Sequence, residues 1–571
     1  MIGFIKIILF RAKNEIVYYI VTLKNKHWLF VVFLSIFYFQ IIAQNNTEAT
    51  IHGNFQIDAQ YYEADSLIGA PKVPEKVLSN AYGNIVYEKD KFSAGIRYEA
   101  YNNVMQGFDK RYKGQGITYR FARYKTDLLD ITVGNVYEQF GSGLLFRTYY
   151  EPGLLYDNSL DGIRVIATPH QALSFKGLIG RQRNFFSLGE GIVRAFDGEL
   201  SINDLFDSLK LKTRVIIGGC FVSKYQPDKD PDLVLPENVG AYGGRINIIN
   251  ESINFFAEYV YKINDPSYVN GYNYKFGEAL FTSFSYATQG FAFILQAKRI
   301  DNMDFRSERD ATLQQLLINY MPATTKQHTY LMPAFFPYAT QPNGEVGGMA
   351  ELQFKLPKNT LIGGQYGTDV TINFSFANGL VNHPLTDSTT TMHFYSTRWD
   401  EIGDPYYHDF FIEIHRKLNK KWKFTALYSN QFYNKNIVMF NSPNAGFPNM
   451  QAHIGVLDIT YKYKTHSSIR IETQGRFAYK RDINGGSWAV GLVEWTPSSH
   501  FYLTLIDQYN YDNPDENLRL HYYTIGLGFV KDSNRISITY GKQRAGIFCV
   551  GGVCRNVPAS NGLAISITST F

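Results

Sequence analysis

The last ten residues, 562–571, read GLAISITSTF and alternate between two kinds of side chain. One set consists of Leu563, Ile565, Ile567 and Phe571, and the other of Ala564, Ser566, Thr568 and Thr570. Period-two alternation is the pattern of a β-strand, whose successive side chains point to opposite faces of a sheet. Because the ends of soluble domains usually fray, this regular tail favours a strand held in a sheet with one apolar face.

The same alternation recurs along the chain in segments long enough to cross a membrane at a tilt. Residues 51–62, IHGNFQIDAQYY, give the first clear example. Further examples are residues 92–101, 253–262, 468–477 and 501–510. Aromatic residues make up 16% of the chain and charged residues 19%, and beyond the N-terminal region no apolar run is long enough for a membrane helix. The sequence therefore predicts an all-β protein, a transmembrane antiparallel β-barrel in which one residue in two faces lipid.

The spacing of turn residues predicts the topology. Eleven short connections rich in Pro, Asn, Asp, Ser and Lys lie at 87–91, 124–127, 168–171, 203–208, 249–252, 287–289, 356–359, 418–421, 464–467, 496–499 and 531–534. Two strands and a longer, more variable loop separate successive turns. This arrangement predicts an up-and-down barrel of about 24 strands (range about 22–26), with short periplasmic turns and long extracellular loops. Aromatic residues beside the turns, such as Trp422 and Trp495, predict an interfacial girdle.

Residues 1–43 are predicted to be a signal region, and residues 44–571 a single barrel domain. Lys24 and Lys26 precede an apolar core that ends near Ala43, the pattern of a cleaved export signal. Residues 1–23 lie upstream of this signal, which suggests that the true start is near Val21 or Leu23. Only a few residues separate the cleavage site from the first strand, so we expect no N-terminal plug domain.

The charge balance does not favour nucleic-acid binding. The chain has 56 Lys and Arg against 51 Asp and Glu. Much of that excess lies in the signal region, whereas nucleic-acid binding requires a concentrated basic surface. We predict neither a catalytic residue nor a cofactor or metal site, since the 12 His residues occur singly and no nucleophile motif is present. The chain is therefore not expected to be an enzyme.

Two of the three cysteines form a candidate loop disulfide. Cys549 and Cys554 enclose the residues VGGV, and a short Gly-containing separation in an exported protein is typical of a disulfide. Cys220 lies within a strand pattern and is expected to be an unpaired, packed thiol. A metal site at the cysteine pair is disfavoured because its flanks supply no His, Asp or Glu.

Several loops are too long and too aromatic to be simple connections. Residues 300–345 and 373–408 are expected to form folded caps or to enter the lumen. Residues 137–162 contain a Gly-Ser-Gly bend and apolar side chains, so we expect them to pack against the inner wall. Whether 300–345 occlude the lumen is open at this point.

Charged residues at alternate strand positions are candidates for the lumen wall. They are Arg97, Glu99, Arg470, Glu472 and Arg476. Side chains of this kind can set the electrostatic field of a channel. Equally, they can form cross-strand ion pairs that only hold the wall together.

Three segments resemble those of a Bacteroidota family of outer-membrane β-barrels that has no established activity. They read GNVYEQFGSGLLFR, TKQHTYLMPAFFPYATQPNGE and CVGGVCRNVPAS. The terminal Phe571 also resembles the aromatic end of the signal that the barrel-assembly machinery reads. The resemblance covers essentially the whole mature chain and implies an outer-membrane location, with lipid and the assembly machinery as partners. It implies no site residue.

Two functions are consistent with these patterns. The first is a porin-like channel for small hydrophilic solutes. The alternative is a structural or partner-binding subunit of a larger cell-envelope assembly, with an occluded lumen, because long aromatic loops suit protein contacts. Conductance of the purified protein separates the two.

Overall fold

Twenty-four antiparallel strands form one sheet that closes into a barrel. The structure is a computed structural model, and it describes residues 49–206, 212–385, 394–440, 445–479, 486–550 and 553–571, without the side chains of 548–555. The predicted signal region, residues 1–43, lies outside this part of the chain. The predicted all-β antiparallel barrel and its strand number are confirmed.

The barrel strands are numbered here in chain order. The first twelve are β1 (Thr50–Glu63), β2 (Val77–Lys89), β3 (Phe92–Asn103), β4 (Gly114–Lys125), β5 (Leu129–Val136), β6 (Leu160–His170), β7 (Leu173–Asn184), β8 (Ser187–Ser201), β9 (Arg214–Tyr225), β10 (Asn238–Asn250), β11 (Ile253–Lys262) and β12 (Gly277–Thr288). The others are β13 (Phe291–Asp301), β14 (Gly344–Leu356), β15 (Thr368–Asn378), β16 (Pro405–Lys417), β17 (Trp422–Tyr433), β18 (Met450–Lys464), β19 (Ser467–Ala478), β20 (Trp488–Thr496), β21 (Phe501–Tyr509), β22 (His521–Lys531), β23 (Asn534–Gln543) and β24 (Ser560–Thr570). Each strand pairs with its sequence neighbours, so the topology is a simple meander.

The first and last strands close the cylinder. Ile57 of β1 lies opposite Ile567 of β24 in an antiparallel register. Beyond the end of β24, the N–H of Phe571 donates to the carbonyl of Gly53, and the N–H of Gly53 donates to the carbonyl of Phe571, both at 2.9 Å. The strand predicted from residues 562–571 therefore pairs with the one predicted from residues 51–62. This closure satisfies the backbone groups that an open edge would expose to lipid.

Short turns and longer loops alternate around the barrel as predicted, with three differences. The turn-side connection 357–367 is longer than the predicted turn and is closed by a bridge between Thr360 and Gly364. The connection after β8 begins with a short helix, Ile202–Leu205, named α1. On the loop side, only Phe185 and Phe186 link β7 to β8, so the prediction that every connection on this side is longer is wrong there.

The outer face of the barrel is apolar. Ile117, Ile163, Phe221, Ile471 and Leu527 are all at least 47% exposed on outward strand positions. Near the turns, the Trp422 ring stacks on Tyr461 at 4.4 Å, and Trp495 Nε1 donates to the hydroxyl of Tyr463 at 2.9 Å. Apolar side chains flanked by interfacial aromatic rings are typical of a membrane-spanning barrel.

Small elements decorate the loops. Helix α2 spans Lys435–Phe440, and 3₁₀ turns span Lys110–Tyr112, Pro152–Leu154 and Glu516–Leu518. Three short hairpins pair Tyr150–Glu151 with Tyr156–Asp157, His383–Leu385 with Phe394–Ser396, and Gly546–Val550 with Val553–Val557. Among the described residues, no helix is long and apolar enough to cross a membrane.

Candidate functional site: the lumen and its loops

The loop between β5 and β6, residues 137–159, enters the lumen and is named here the first lumen loop. Its Gly-Ser-Gly bend reaches β11, where the backbone N–H and the hydroxyl of Ser142 both donate to Glu258, at 2.8 and 2.5 Å. Gly141 has a left-handed backbone, with φ of 50°. A Cβ atom at Gly141 would lie 2.5 Å from a Glu258 oxygen and 2.9 Å from Cδ of Arg245. Glycine is therefore required here both by the backbone conformation and by the close approach.

Apolar side chains fix the first lumen loop to the inner wall. Phe140, Leu144, Leu145 and Phe146 are completely buried. They belong to one cluster with inward residues of β8 to β13, among them Val193, Val222, Val260 and Ile300. Met303 and Phe305, from a second loop, complete this cluster. The lumen is consequently packed as a core along these strands, and the prediction that residues 137–162 pack against the inner wall matches this arrangement.

The second lumen loop is the connection between β13 and β14, residues 302–343. It meets the inner wall at Glu351 of β14, Asp409 of β16, Gln431 of β17, Asp458 of β18 and Gln474 of β19. His328 Nε2 lies 2.5 Å from an Asp409 oxygen, and the N–H of Met332 donates to Gln474 at 2.8 Å. This loop thus crosses the lumen and is held at several points of the wall.

Two adjacent aromatic side chains occupy the far end of the second lumen loop. Phe335 lies 5.3 Å from the Trp488 ring at the start of β20, and Phe336 stacks on Tyr433 at 5.0 Å. Both belong to a second apolar cluster that includes inward residues of β16 to β20. Together the two loops cover the loop-side halves of the inner faces of β8 to β20.

Of the predicted lumen charges, Arg97 and Glu99 face inward on β3 and join a buried network. Arg97 Nε donates to Glu99 at 2.8 Å, and its guanidinium also pairs with Asp157 of the first lumen loop. Arg183 of β7 pairs with both carboxylates. All four side chains are at most 4% exposed. The structure therefore places these two residues in ion pairs that dock the first lumen loop.

The other predicted lumen charges lie together on β19. Arg470 pairs with Asp458 of β18 at 3.0 Å and with Glu472 on its own strand. Arg476 lies closer to the loop side, where its guanidinium faces the rings of Phe335 and Phe336 and donates to the carbonyl of Gly486 at 2.7 Å. All five predicted residues thus face the lumen; Arg97, Glu99 and Arg470 form cross-strand or loop-to-wall ion pairs, and Glu472 pairs with Arg470 on its own strand.

The cysteines and the terminal residue occupy the predicted elements. Cys220 is buried and free on β9. Residues 549 and 554 lie directly opposite each other in a loop hairpin, but their side chains are outside the described residues, so the disulfide stays a prediction. Phe571 lies next to β1, where a Cβ atom on Gly53 would be 2.9 Å from its ring. The role of Phe571 as an assembly signal also stays a prediction.

Sequence reasoning missed three buried lysines that face the lumen. They are Lys224, Lys262 and Lys298. Lys224 pairs with Asp265 at 2.6 Å, Lys262 donates to the carbonyl of Asp304 at 2.5 Å, and Lys298 pairs with Glu345 at 2.8 Å. The sequence did contain a signal for two of them. Val222 and Val260 lie two positions before Lys224 and Lys262 on the same inward face, and apolar inward residues indicate a wall covered by protein rather than by water.

One sector of the inner wall is left only partly covered. It consists of the inner faces of β21 to β24, β1 and β2, and is named here the polar strip. Its half-buried side chains include Asn54, Gln56, Tyr82, Thr504, Thr524, Ser537, Thr539, Ser566 and Thr568. A cavity of about 320 Å³ borders the strip at Gln56, Ser537 and Ser566. Small hydroxyl and amide side chains of this kind can hydrogen-bond water and hydrophilic solutes.

The closed sheet and its apolar outer face identify the protein as a transmembrane β-barrel. Its own loops narrow the lumen. Residues 23–571 match the sequence model described as a family of unknown function (DUF6029), and the chain belongs to this family. No curated protein matches the chain.

Three solved structures show the range of similar barrels. The translocation pore of the P pilus usher PapC is 9% identical, with 91% of this chain and 99% of that chain covered and a TM-score of 0.41. The siderophore receptor PirA from Pseudomonas aeruginosa is 9% identical, with coverage of 92% and 81% and a TM-score of 0.42. Pseudomonas aeruginosa OpdL is 8% identical, with coverage of 92% and 100% and a TM-score of 0.34. At these TM-scores the likeness carries no argument about function, and the fold assignment rests on the strand pairing.

Proposed function

We propose that this chain is a porin-like channel of the bacterial outer membrane, through which small hydrophilic solutes diffuse along the polar strip. The observation that carries the proposal is the contrast between two sectors of the wall. In the loop-side halves of β8 to β20 the loops bury the inward side chains, whereas on β21 to β24, β1 and β2 small polar side chains stay partly exposed. The two lumen loops therefore fill one side of the lumen, and a narrow, hydrated path remains beside them along the polar strip.

The exposed polar side chains at the turn-side mouth are consistent with such a path. His52 and Glu88, at the turn-side ends of β1 and β2, are exposed, as are Lys355, Lys423 and Lys462 on other strands. The described residues therefore fill the lumen at mid-depth and towards the loops, while side chains at the turn-side ends of the strands stay exposed to solvent. Export through a cleaved signal, insertion by the assembly machinery and a Bacteroidota source are part of the same proposal and rest on the sequence patterns.

Planar-bilayer recording of the purified full-length protein tests the channel. The informative variant is Ser566→Trp, because Ser566 belongs to the polar strip and borders the cavity beside it. The matched control is Ile565→Trp, since Ile565 is the neighbouring residue and faces outward, towards lipid. We expect single-channel conductance to fall sharply in the Ser566 variant and to stay at the original value in the control. Equal conductance in all three proteins would contradict a path along the strip.

A second candidate function is a closed subunit of an envelope assembly. The observation that favours it is the complete burial of Phe140, Phe146, Met332 and Ile318 in the two lumen loops, which resembles a protein core more than a channel lining. Proteins that co-purify in fixed stoichiometry, together with the absence of conductance, would select this function over the channel.

A further inference from the structure

An arginine at the loop-side end of the polar strip has no carboxylate partner. Arg544 follows β23, and its guanidinium lies 3.8 Å from the centre of the Phe335 ring and 5.9 Å from that of Trp488. Nη1 of Arg544 donates to the carbonyl of Ala545 at 3.1 Å, and the side chain forms no ion pair among the described residues. Burial against these rings lowers the pKa of Arg544 to about 10, so the side chain remains charged at neutral pH.

A second such arginine lies at the other end of the same strand. Arg535 is exposed at the turn side of β23, where Nε and Nη2 donate to the hydroxyl of Tyr502 at 3.2 and 2.8 Å. Within the described part of the chain it too has no carboxylate partner. Arg544 is nine positions after Arg535 along the chain, and at about 3.3 Å per strand residue this places the two arginines about 30 Å apart. Between them, the inward positions of β23 include Ser537 and Thr539.

The turn-side mouth carries a further concentration of positive charge. Its members lie on the ends and turns of β14 to β19 and are named here the basic arc: Lys355, Lys358, Arg416, Lys417, Lys420, Lys421, Lys423, Lys462 and Lys464. Lys355 pairs with Asp369 at 2.9 Å. The other members form no ion pair within the described residues, and all except Arg416 are exposed.

Few carboxylates oppose these cations. Asp58 lies on the polar strip and accepts a hydrogen bond from Gln56 at 2.6 Å. Glu88 lies at the turn-side end of the strip, and Asp369 and Glu413 lie beside the basic arc. Other lumen carboxylates, such as Asp157 and Glu345, pair with basic side chains, whereas Glu151 and Glu494 have no ion pair among the described residues. Along the strip itself the two arginines are matched in number by Asp58 and Glu88, so the uncompensated positive charge is concentrated at the turn-side mouth.

We infer that the channel passes small anions in preference to cations, with Arg544 and Arg535 as the contact points at the two ends of the polar strip. The inference rests on the proposed channel and names its class of solute. Positive charge that lines a narrow passage repels cations and raises the local concentration of anions. The guanidinium carbon of Arg544 lies 3.8 Å from the centre of an aromatic ring, and a guanidinium can bind a carboxylate or phosphate with two parallel hydrogen bonds.

Reversal potentials in a potassium chloride gradient test the inference. Full-length protein in planar bilayers is expected to show a chloride-to-potassium permeability ratio above one. The preference should weaken at high salt, because the screening length falls from about 10 Å at 0.1 M to about 3 Å at 1 M. Sodium acetate and sodium phosphate then report whether larger anions pass.

Charge variants separate the inference from the channel proposal. Arg535→Gln and Arg544→Gln should each lower the permeability ratio by up to about 25-fold, because one unit charge at about 4 Å in water changes the local concentrations of anion and cation by about fivefold each, in opposite directions. Asp58→Asn should raise the ratio, and Arg398→Gln, on an exposed outer loop, should leave it unchanged. Because Arg535 is exposed, its variant keeps the test valid even if the Arg544 variant fails to fold. A conducting protein with a ratio of one or less would overturn the inference alone, whereas a protein that never conducts would overturn the channel as well.

Discussion

The buried network around Glu99 gives a stringent test of how the first lumen loop is held. Glu99 is 1% exposed and accepts from Arg97 at 2.8 Å and from Arg183 at 3.0 and 2.5 Å. The substitution Glu99→Gln keeps the size of the side chain and removes its charge. Among the described residues, Asp157 is then the one carboxylate paired with the two buried guanidinium groups.

The expected cost follows from burial. Removing one partner of a buried ion pair leaves an uncompensated charge in a low-dielectric site and typically costs about 3–5 kcal/mol. The amide oxygen of glutamine can still accept one hydrogen bond, so the lower part of this range is expected. The matched control is Glu190→Gln, because Glu190 pairs with Lys229 at 2.7 Å while both side chains are about two-thirds exposed. Solvent screens an exposed pair of this kind, so it contributes little to stability.

Urea unfolding in detergent micelles, followed by tryptophan fluorescence, measures both variants by linear extrapolation. We expect Glu99→Gln to lower the free energy of unfolding by about 3 kcal/mol or more, and the control to leave it nearly unchanged. If the two variants lose similar stability, the network does not anchor the loop. The reasoning from burial and hydrogen-bond geometry would then be refuted.

Three further predictions concern single features of the barrel. Gly141→Ala should destabilise the protein by about 2–4 kcal/mol in the same unfolding assay, because a left-handed alanine is strained and its Cβ collides with Glu258. Deletion of Phe571 should strongly reduce the amount of protein inserted in the outer membrane, measured by membrane fractionation and immunoblotting, and a normal yield would contradict its role in assembly. Cys549 and Cys554 should resist maleimide labelling until a reductant is added, and labelling without reductant would exclude the disulfide.

The strand number was predictable because the signals are local. Turn residues and period-two alternation are read within a few positions of the sequence. The tight turn at Asp90 and Lys91, for example, lies within the predicted turn 87–91. The longer turn 357–367 was not predicted, since its closure depends on the hydrogen bond between Gly364 and Thr360 rather than on composition.

The filling of the lumen was less predictable because its contacts are distant in sequence. Ser142 and Glu258 are 116 residues apart, and Gln474 is 142 residues from Met332, to which it is hydrogen-bonded. Nothing in the local pattern specifies which loop meets which strand. The inward direction of Arg97 followed from alternation, but its partner Asp157 comes from a loop whose path depends on the whole barrel.

The degree of alternation nevertheless carries information about where the lumen is filled. On β20, Trp488, Val490 and Leu492 face inward and are buried, so both faces of the loop-side half of this strand are apolar. On β24, by contrast, every inward residue from position 564 onward is small or polar, and the opposite face is mostly apolar. A strand with two apolar faces indicates that protein covers its inner side, whereas strict alternation indicates water. The tail GLAISITSTF is therefore informative twice, because its outward residues form part of the apolar outer face and its inward residues belong to the polar sector along which we propose that the channel runs.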